Sequence, residues 1–358
     1  MRNTKPKPIM LFKSTYNPEY KESILTLMSL PLNTTHLVYY DKKWTSPEVW
    51  KLATERISSI KNVEAYLIFF DIRAKSPMYY PLLKCFVYDA GIDGDVLQIL
   101  LKVTGYFRYD ESQLPDFKQQ LVDAYGEARI PPAEKGYLHF FEDNKILEGF
   151  EPTDEDEAWN RLVEILTMKT NSENFRDAVF FKLKVSTERD QFLEQVDAPD
   201  GPHYKVSSQS RFRIHRHYYG PHCETLDKSE QDNLSLEFDL GRFFYTEDQL
   251  PVVILGSRLR PGMVNIEVED TKRDDIVANI RIKEVQTKIS YPKPTLRFKV
   301  YRSGWRKTIE YLFIIGLILL ATPSLIDIIP ITDAEVMRAL ASLGILGGIL
   351  SALAKFKS

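Results

Sequence analysis

Tyr311-Leu-Phe-Ile-Ile-Gly-Leu-Ile-Leu-Leu-Ala321-Thr-Pro323-Ser-Leu-Ile-Asp327-Ile-Ile-Pro330 is the stretch on which the reading of this chain turns. A helix needs roughly 20 residues to cross a hydrocarbon core about 30 Å thick, and this run is long enough. It is apolar as far as Ala321 and is then interrupted by Thr322, Pro323, Ser324 and Asp327. Asp333 and Glu335 form an acidic turn after it. A second apolar run, residues 336–354, carries a single charge, Arg338, near its start. Together the runs predict a transmembrane helical hairpin over residues 303–358. Arg302, Arg306 and Lys307 lead into the first run, and Lys355 and Lys357 follow the second. Basic residues stay on the cytoplasmic side of a bilayer. Both termini are therefore expected in the cytoplasm, with the turn outside and the hairpin in the inner (plasma) membrane. Trp305 and Tyr311 fall at headgroup depth, where amphipathic rings belong. The other reading of the same runs is a buried hairpin of a soluble domain, or a re-entrant segment.

In the second run, Gly344, Gly348 and Ala352 recur one helical turn apart. Small residues so placed let helix backbones approach closely, so this helix is expected to pack on the first run or on another copy of the chain. Pro323 removes a backbone donor and should bend the first run. An acid at membrane depth is a functional candidate by default, which makes Pro323 and Asp327 candidate pore or gate residues. Asp327 also lies close to Asp333, and an outer-interface position would explain it equally well.

Upstream of the hairpin the charge changes sharply. The whole chain carries a formal net charge of −3, yet from Arg281 to Lys307 nine Lys and Arg face a single acid, Glu284. Juxtamembrane cations are drawn to an anionic leaflet, so Arg297, Lys299, Arg302, Arg306 and Lys307 are expected to bind anionic phospholipids. A second basic feature is Arg211-Phe-Arg213-Ile-His215-Arg-His217-Tyr218. Strand alternation puts Arg211, Arg213, His215 and His217 on one face. Such a row is either an anion surface, for lipid headgroups or nucleic-acid phosphates, or a solvated face balanced by neighbouring acids such as Glu237 and Asp239. Four of the six histidines, His203, His215, His217 and His222, fall close together with Cys223. Their spacing matches no zinc module, and no metal or other cofactor is expected.

The remainder reads as α+β. Residues 1–150 predict an α+β cytosolic domain. Helices are expected over 18–30, after Thr45-Ser46-Pro47-Glu48, and near 115–125; buried strands are expected over 63–70, 80–89 and 95–103, the last two joined by a loop at 90–94. Residues 151–302 predict a β-rich cytosolic domain, sandwich or barrel-like, with a leading helix opened by Thr153 and a run of acids. Its strands are expected at 178–186, 210–218, 234–240, 252–255, 264–268, 276–287 and 295–301. The last of these runs into the hairpin almost without slack. Two distant cysteines, Cys85 and Cys223, fit a reducing compartment. The N-terminus has no apolar core and reads as no signal peptide.

No phosphate-binding loop, nucleophile elbow, zinc-protease helix or dinucleotide fingerprint is present in the sequence, and the chain is expected not to be an enzyme. No small-molecule substrate is evident. The plan resembles two-span membrane effectors of prokaryotic antiviral defence, such as the membrane partners of short Argonautes. The resemblance rests on architecture: an α+β region, a β-rich region, a basic approach and a hairpin from Tyr311 to Ala354. It implies a homo-oligomer, a protein partner carrying a nucleic-acid sensor, binding of anionic lipid, and growth arrest through loss of membrane potential. A membrane-anchored scaffold with no pore activity is the other reading of the same plan.

Overall fold

A computed structural model describes residues 7–71, 78–125, 138–140, 147, 149–167, 172–175, 178–219, 238–246, 262–271, 273, 275–283, 290–302, 308–309 and 311–313. These residues form an α+β protein built around two hydrophobic cores.

The first core lies against a seven-stranded sheet. Its strands are β1 (Ile9–Lys13), β2 (Thr35–Asp41), β3 (Glu64–Asp71), β4 (Met78–Asp93), β5 (Val96–Arg108), β6 (Leu138–Phe140) and β7 (Glu151–Thr153). They run in the order β2-β5-β4-β3-β1-β6, with β7 also on β5, and only β1 and β3 pair in parallel. The apolar runs 9–12 of β1 and 65–70 of β3 fit burial on both faces. The sheet curls strongly. Tyr40 on one edge strand donates to the Phe12 carbonyl at 3.3 Å, and the Ser46 amide donates to Leu138 O of the opposite edge at 2.9 Å. Ala90 to Asp93 belong to β4 rather than to a loop, because each has a cross-strand partner on β5. The turn itself is Gly94-Asp95, with Gly94 at φ +57° in the left-handed region.

Helix α1 (Pro18–Ser29) starts where Asn17 accepts from the Glu19 amide, and Leu30 beyond it is already extended, as a residue before proline prefers. Helix α2 (Pro47–Arg56) is capped by Ser46, whose hydroxyl accepts from Val49 N at 3.3 Å. Helix α3 (Leu114–Tyr125) follows a capping box at Asp110 and Gln113. Helix α4 (Asp156–Thr167) follows Thr153, whose hydroxyl accepts from Glu155 N at 3.2 Å. The helix read as leading the β-rich region packs into the first core instead: Trp159, Leu162, Val163 and Leu166 are buried there. Trp159 Nε1 donates to the Met28 carbonyl at 2.7 Å, tying α4 to the end of α1. A short helix, α5 (Ser172–Phe175), completes this lobe.

The second core lies between two sheets. One contains β8 (Phe180–Thr187), β11 (Arg211–Tyr219), β13 (Phe244–Tyr245) and β14 (Gly262–Val268), in the order β13-β14-β11-β8. The other contains β9 (Gln195–Val196), β10 (His203–Ser207), β12 (Phe238–Asp239), β15 (Ile276–Ile282) and β16 (Thr295–Tyr301), in the order β12-β15-β16-β10-β9. Phe212 of the first sheet meets Phe298 of the second with centroids 4.9 Å apart, and Phe244 completes the cluster at 5.0 Å from Phe298. This is a sandwich packed by alternation, with Phe212 and Ile214 inside and their neighbours outside. The chain alternates between the cores at the start of β8: Val179 and Phe181 belong to the second and Phe180 to the first.

The expected strand at 252–255 lies outside the described residues, as do 234–237 and 284–287. Most of the expected hairpin lies outside them too, including Pro323, Asp327, Gly344, Gly348 and Ala352. Tyr311 to Phe313 are helical, and no described helix is long and apolar enough to cross a membrane.

Candidate functional site

The basic strand β11 presents Arg211, Arg213 and His215 on its outer face, as alternation predicts. Each meets a partner. Arg211 Nη2 lies 2.5 Å from Glu267 on β14, its cross-strand neighbour. Arg213 reaches Asp190 at 3.1 Å and Asn265 at 3.2 Å. His215 Nε2 is 2.8 Å from the Ser186 hydroxyl and 3.5 Å from Asp190. The balancing acids are thus Glu267 and Asp190. Asp239, proposed from sequence for that task, stands opposite Arg281 in the register of the other sheet, because the strand order separates β12 from β11. The side chain of His217 and all of Glu237 lie outside the described residues. His203 and His215 stand on different sheets, while His222 and Cys223 lie outside the described residues. Among those residues no group of three or more His, Cys, Asp or Glu is arranged to hold a metal ion. Cys85 is buried, and burial pushes its thiol far above the usual range, leaving it a poor nucleophile.

The other cations lie on β16, the central strand of its sheet. Leu296, Phe298 and Val300 face the core, while Arg297, Lys299 and Tyr301 face out. Lys299 pairs with Asp275 at 3.4 Å and sits 5.3 Å from the Tyr301 ring centroid. Its ammonium is held above the usual lysine range by the Tyr301 hydroxyl first and by Asp275. Arg297 reaches across to the first lobe. Its Nη1 donates to Thr35 Oγ1 on β2 at 2.8 Å and to the Asp200 carbonyl at 2.6 Å. The Asp200 carboxylate stands 3.7 Å from the same guanidinium and 2.9 Å from Nε2 of His203, a residue 1% exposed. Arg302 is half-buried, and Arg306 and Lys307 lie outside the described residues.

Around Arg297 the two lobes meet along a polar seam. The loop at 197–201 is its centre. Tyr88 of β4 donates to the Ala198 carbonyl at 2.9 Å. Tyr88 is the residue passed over where the β4–β5 register slips between Val87 and Asp89, so a β-bulge aims it at the second lobe. Gly201, at φ +113°, lies against Thr35 so closely that a Cβ there would collide with the Thr35 hydroxyl. Just before β16, the Lys293 amide donates to Thr26 Oγ1 of α1 at 2.9 Å, and its ammonium lies 3.0 Å from Glu22. Lys182 of β8 adds an ion pair to Asp156 of α4 at 2.8 Å and lies over the Tyr106 ring. Hydrogen bonds that involve a charge contribute roughly 1.5–3 kcal/mol each, so this seam is held firmly but reversibly. His36, one residue past Thr35, is held down to about 4 by burial and by the positive charges of Lys13 and Arg297.

A second polar cluster sits where β1 and β3 end. Thr15 donates to Asn174 at 2.7 Å, and Asn174 donates to Asp71 at 2.8 Å, all three buried. This network anchors α5 to the sheet. Nearby Lys13 is 1% exposed, with its ammonium 4.5 Å from the Tyr20 ring centroid and 4.7 Å from that of Tyr40. Burial holds its pKa down to about 7.

Comparison with protein families, with characterised proteins and with solved structures found no match to this chain. Sequence reasoning named Arg297 but missed Thr35, Tyr88, Asp200 and Gly201. The available signal was Asp200-Gly201-Pro202, which marks a turn without saying what the turn rests against.

Proposed function

We propose that the chain is a membrane-attached effector, in which a cytosolic receiver acts on a two-helix hairpin that permeabilises or depolarises the membrane when copies cluster. One observation carries this reading. β16 is buried at the centre of its sheet and tied to the first lobe through Arg297, and ten residues beyond it Tyr311, Leu312 and Phe313 are 66%, 51% and 57% exposed. A helix that begins with consecutive exposed apolar side chains fits entry into lipid better than burial in a soluble core. The firm attachment of β16 means that movement of the lobes is passed on to whatever follows it.

The geometry changes the lipid reading. Arg211, Arg213, Arg297 and Lys299 already have carboxylate partners, so headgroup binding is assigned to Arg306 and Lys307, beside the hairpin. The remaining parts of the proposal rest on sequence: homo-oligomerisation through Gly344, Gly348 and Ala352, gating at Pro323 and Asp327, and activation by a protein partner that carries a nucleic-acid sensor, in the manner of antiviral growth arrest at the inner membrane. No catalytic chemistry is assigned. Flotation on a density gradient tests the attachment. The full chain is expected to float with membranes and to resist extraction at high pH, whereas a chain ending after Arg302 stays in the soluble fraction. Equal flotation of both would remove the hairpin from the proposal.

A further inference from the structure

The seam around Arg297 lies between the part that would receive a signal and the strand that leads to the hairpin. Its composition is unlike that of the two cores. Each core is apolar, and the chain alternates between them at Val179, Phe180 and Phe181. Away from that crossing the lobes are joined by polar contacts: Arg297 to Thr35, Tyr88 to Ala198, Lys293 to Thr26 and Glu22, and Lys182 to Asp156. Polar contacts can be exchanged for water at a bounded cost each, whereas opening an apolar core exposes its whole buried area. Two of the anchors lie on or next to β16 itself. Beyond Arg297 the outward residues of β16 bind only within their own lobe, as with Lys299 and Asp275.

We propose that the Arg297–Thr35–Asp200 contact is an inhibitory latch, holding the second lobe closed on the first and keeping β16 in its resting position until the lobes part. This deepens the effector reading and rests on it. The parts have separable roles. Arg297 Nη1 satisfies one acceptor on each side of the seam while Nε faces the Asp200 carboxylate, a combination that the single nitrogen of lysine does not reproduce. The Asp200 carboxylate, 3.7 Å from the guanidinium, keeps the loop at 197–201 in place behind it. Gly201 allows the close approach to Thr35, so any side chain there acts as a wedge. Val179, Phe180 and Phe181, buried alternately in the two cores, keep the lobes joined.

The test uses the full chain in membranes, with Arg297→Ala, Arg297→Lys, Gly201→Ala and Thr35→Val, the last of which replaces only a hydroxyl by a methyl should the others fail to fold. Amide exchange across Thr35–Asp41 and His203–Ser207 is read together with membrane potential in cells lacking any trigger. In each variant the seam amides are expected to exchange about tenfold faster or more, as loss of a charge-assisted hydrogen bond implies, while Ile9–Lys13 and Phe212 to Ile214 stay protected. Each variant is expected to depolarise cells without a trigger. Two results overturn the latch alone. One is unchanged exchange at the seam in every variant that folds. The other is faster exchange with the potential intact, in cells where enforced clustering of the native chain does depolarise. If enforced clustering also leaves the potential intact, the effector reading falls and the latch falls with it.

Discussion

Lys13 shows how one buried charge can set the behaviour of a lobe. Its amine lies between the faces of Tyr20 and Tyr40, and burial holds its pKa down to about 7 against the ordinary 10.5. Above pH 10.5 both folded and unfolded chains carry a neutral amine. Between 10.5 and 7 only the unfolded chain takes up the proton, so stability falls as pH falls through that window and changes no further below it. Lys13→Met should flatten this part of the stability–pH curve and stabilise the protein at pH 7 by up to about 4 kcal/mol, as measured by denaturant titration at pH 7 and pH 10. His36 and His139 work at lower pH. Burial holds each down to about 4, with Lys13 and Arg297 adding to the effect at His36. Their cost is absent above pH 6.5 and grows as pH falls towards 4. Acid unfolding is therefore expected in that window, and His139→Asn should shift the midpoint to lower pH. None of this was legible in the sequence. Nothing local marks Lys13 for burial, and only the curl of the sheet brings Tyr40 over the amine.

At the scale of elements, much was legible and the reasons are local. Ser46 and Pro47 open α2 because a hydroxyl satisfies a free amide and proline fits the first turn. The alternation in Arg211 to His215 gave the correct outward face of β11. What alternation does not carry is register. Glu267 faces Arg211 because β14 pairs with β11 in one particular alignment, while Asp239, named from sequence for that role, lies on the other sheet. The helix at Asp156–Thr167 was found from its caps and apolar stripe, yet its placement depended on Trp159 reaching Met28, a tertiary contact. The pairing of β11 also sets a prediction. Replacing Arg306 and Lys307 by Glu should weaken binding of the full chain to anionic vesicles and reduce its salt sensitivity. Replacing Arg211 and Arg213 by Glu should leave vesicle binding unchanged and cost stability, since like charges then face Glu267 and Asp190. A large loss of vesicle binding in the second variant would restore the basic face as a lipid surface.

For the whole molecule, the α+β class and a β-rich second half could be read from composition and turn signals, because both follow from local pattern. The division between the cores could not. It depends on a chain that keeps feeding the first core up to Phe180, well past the acidic run at 151–157, and on a seam of polar contacts between residues remote in sequence. That seam places the first lobe, the sandwich and the strand leading to Tyr311 in one mechanical series. The central claim is that this series ends in a membrane-active hairpin, and membrane potential measures it most directly. The full chain and a chain ending after Arg302 are each fused at the N-terminus to an inducible dimerisation tag and followed with a voltage-sensitive dye. Clustering of the full chain is expected to collapse the potential, with no change for the shortened chain. A full chain that clusters in the membrane while the potential holds would contradict the claim and leave the protein an anchored scaffold.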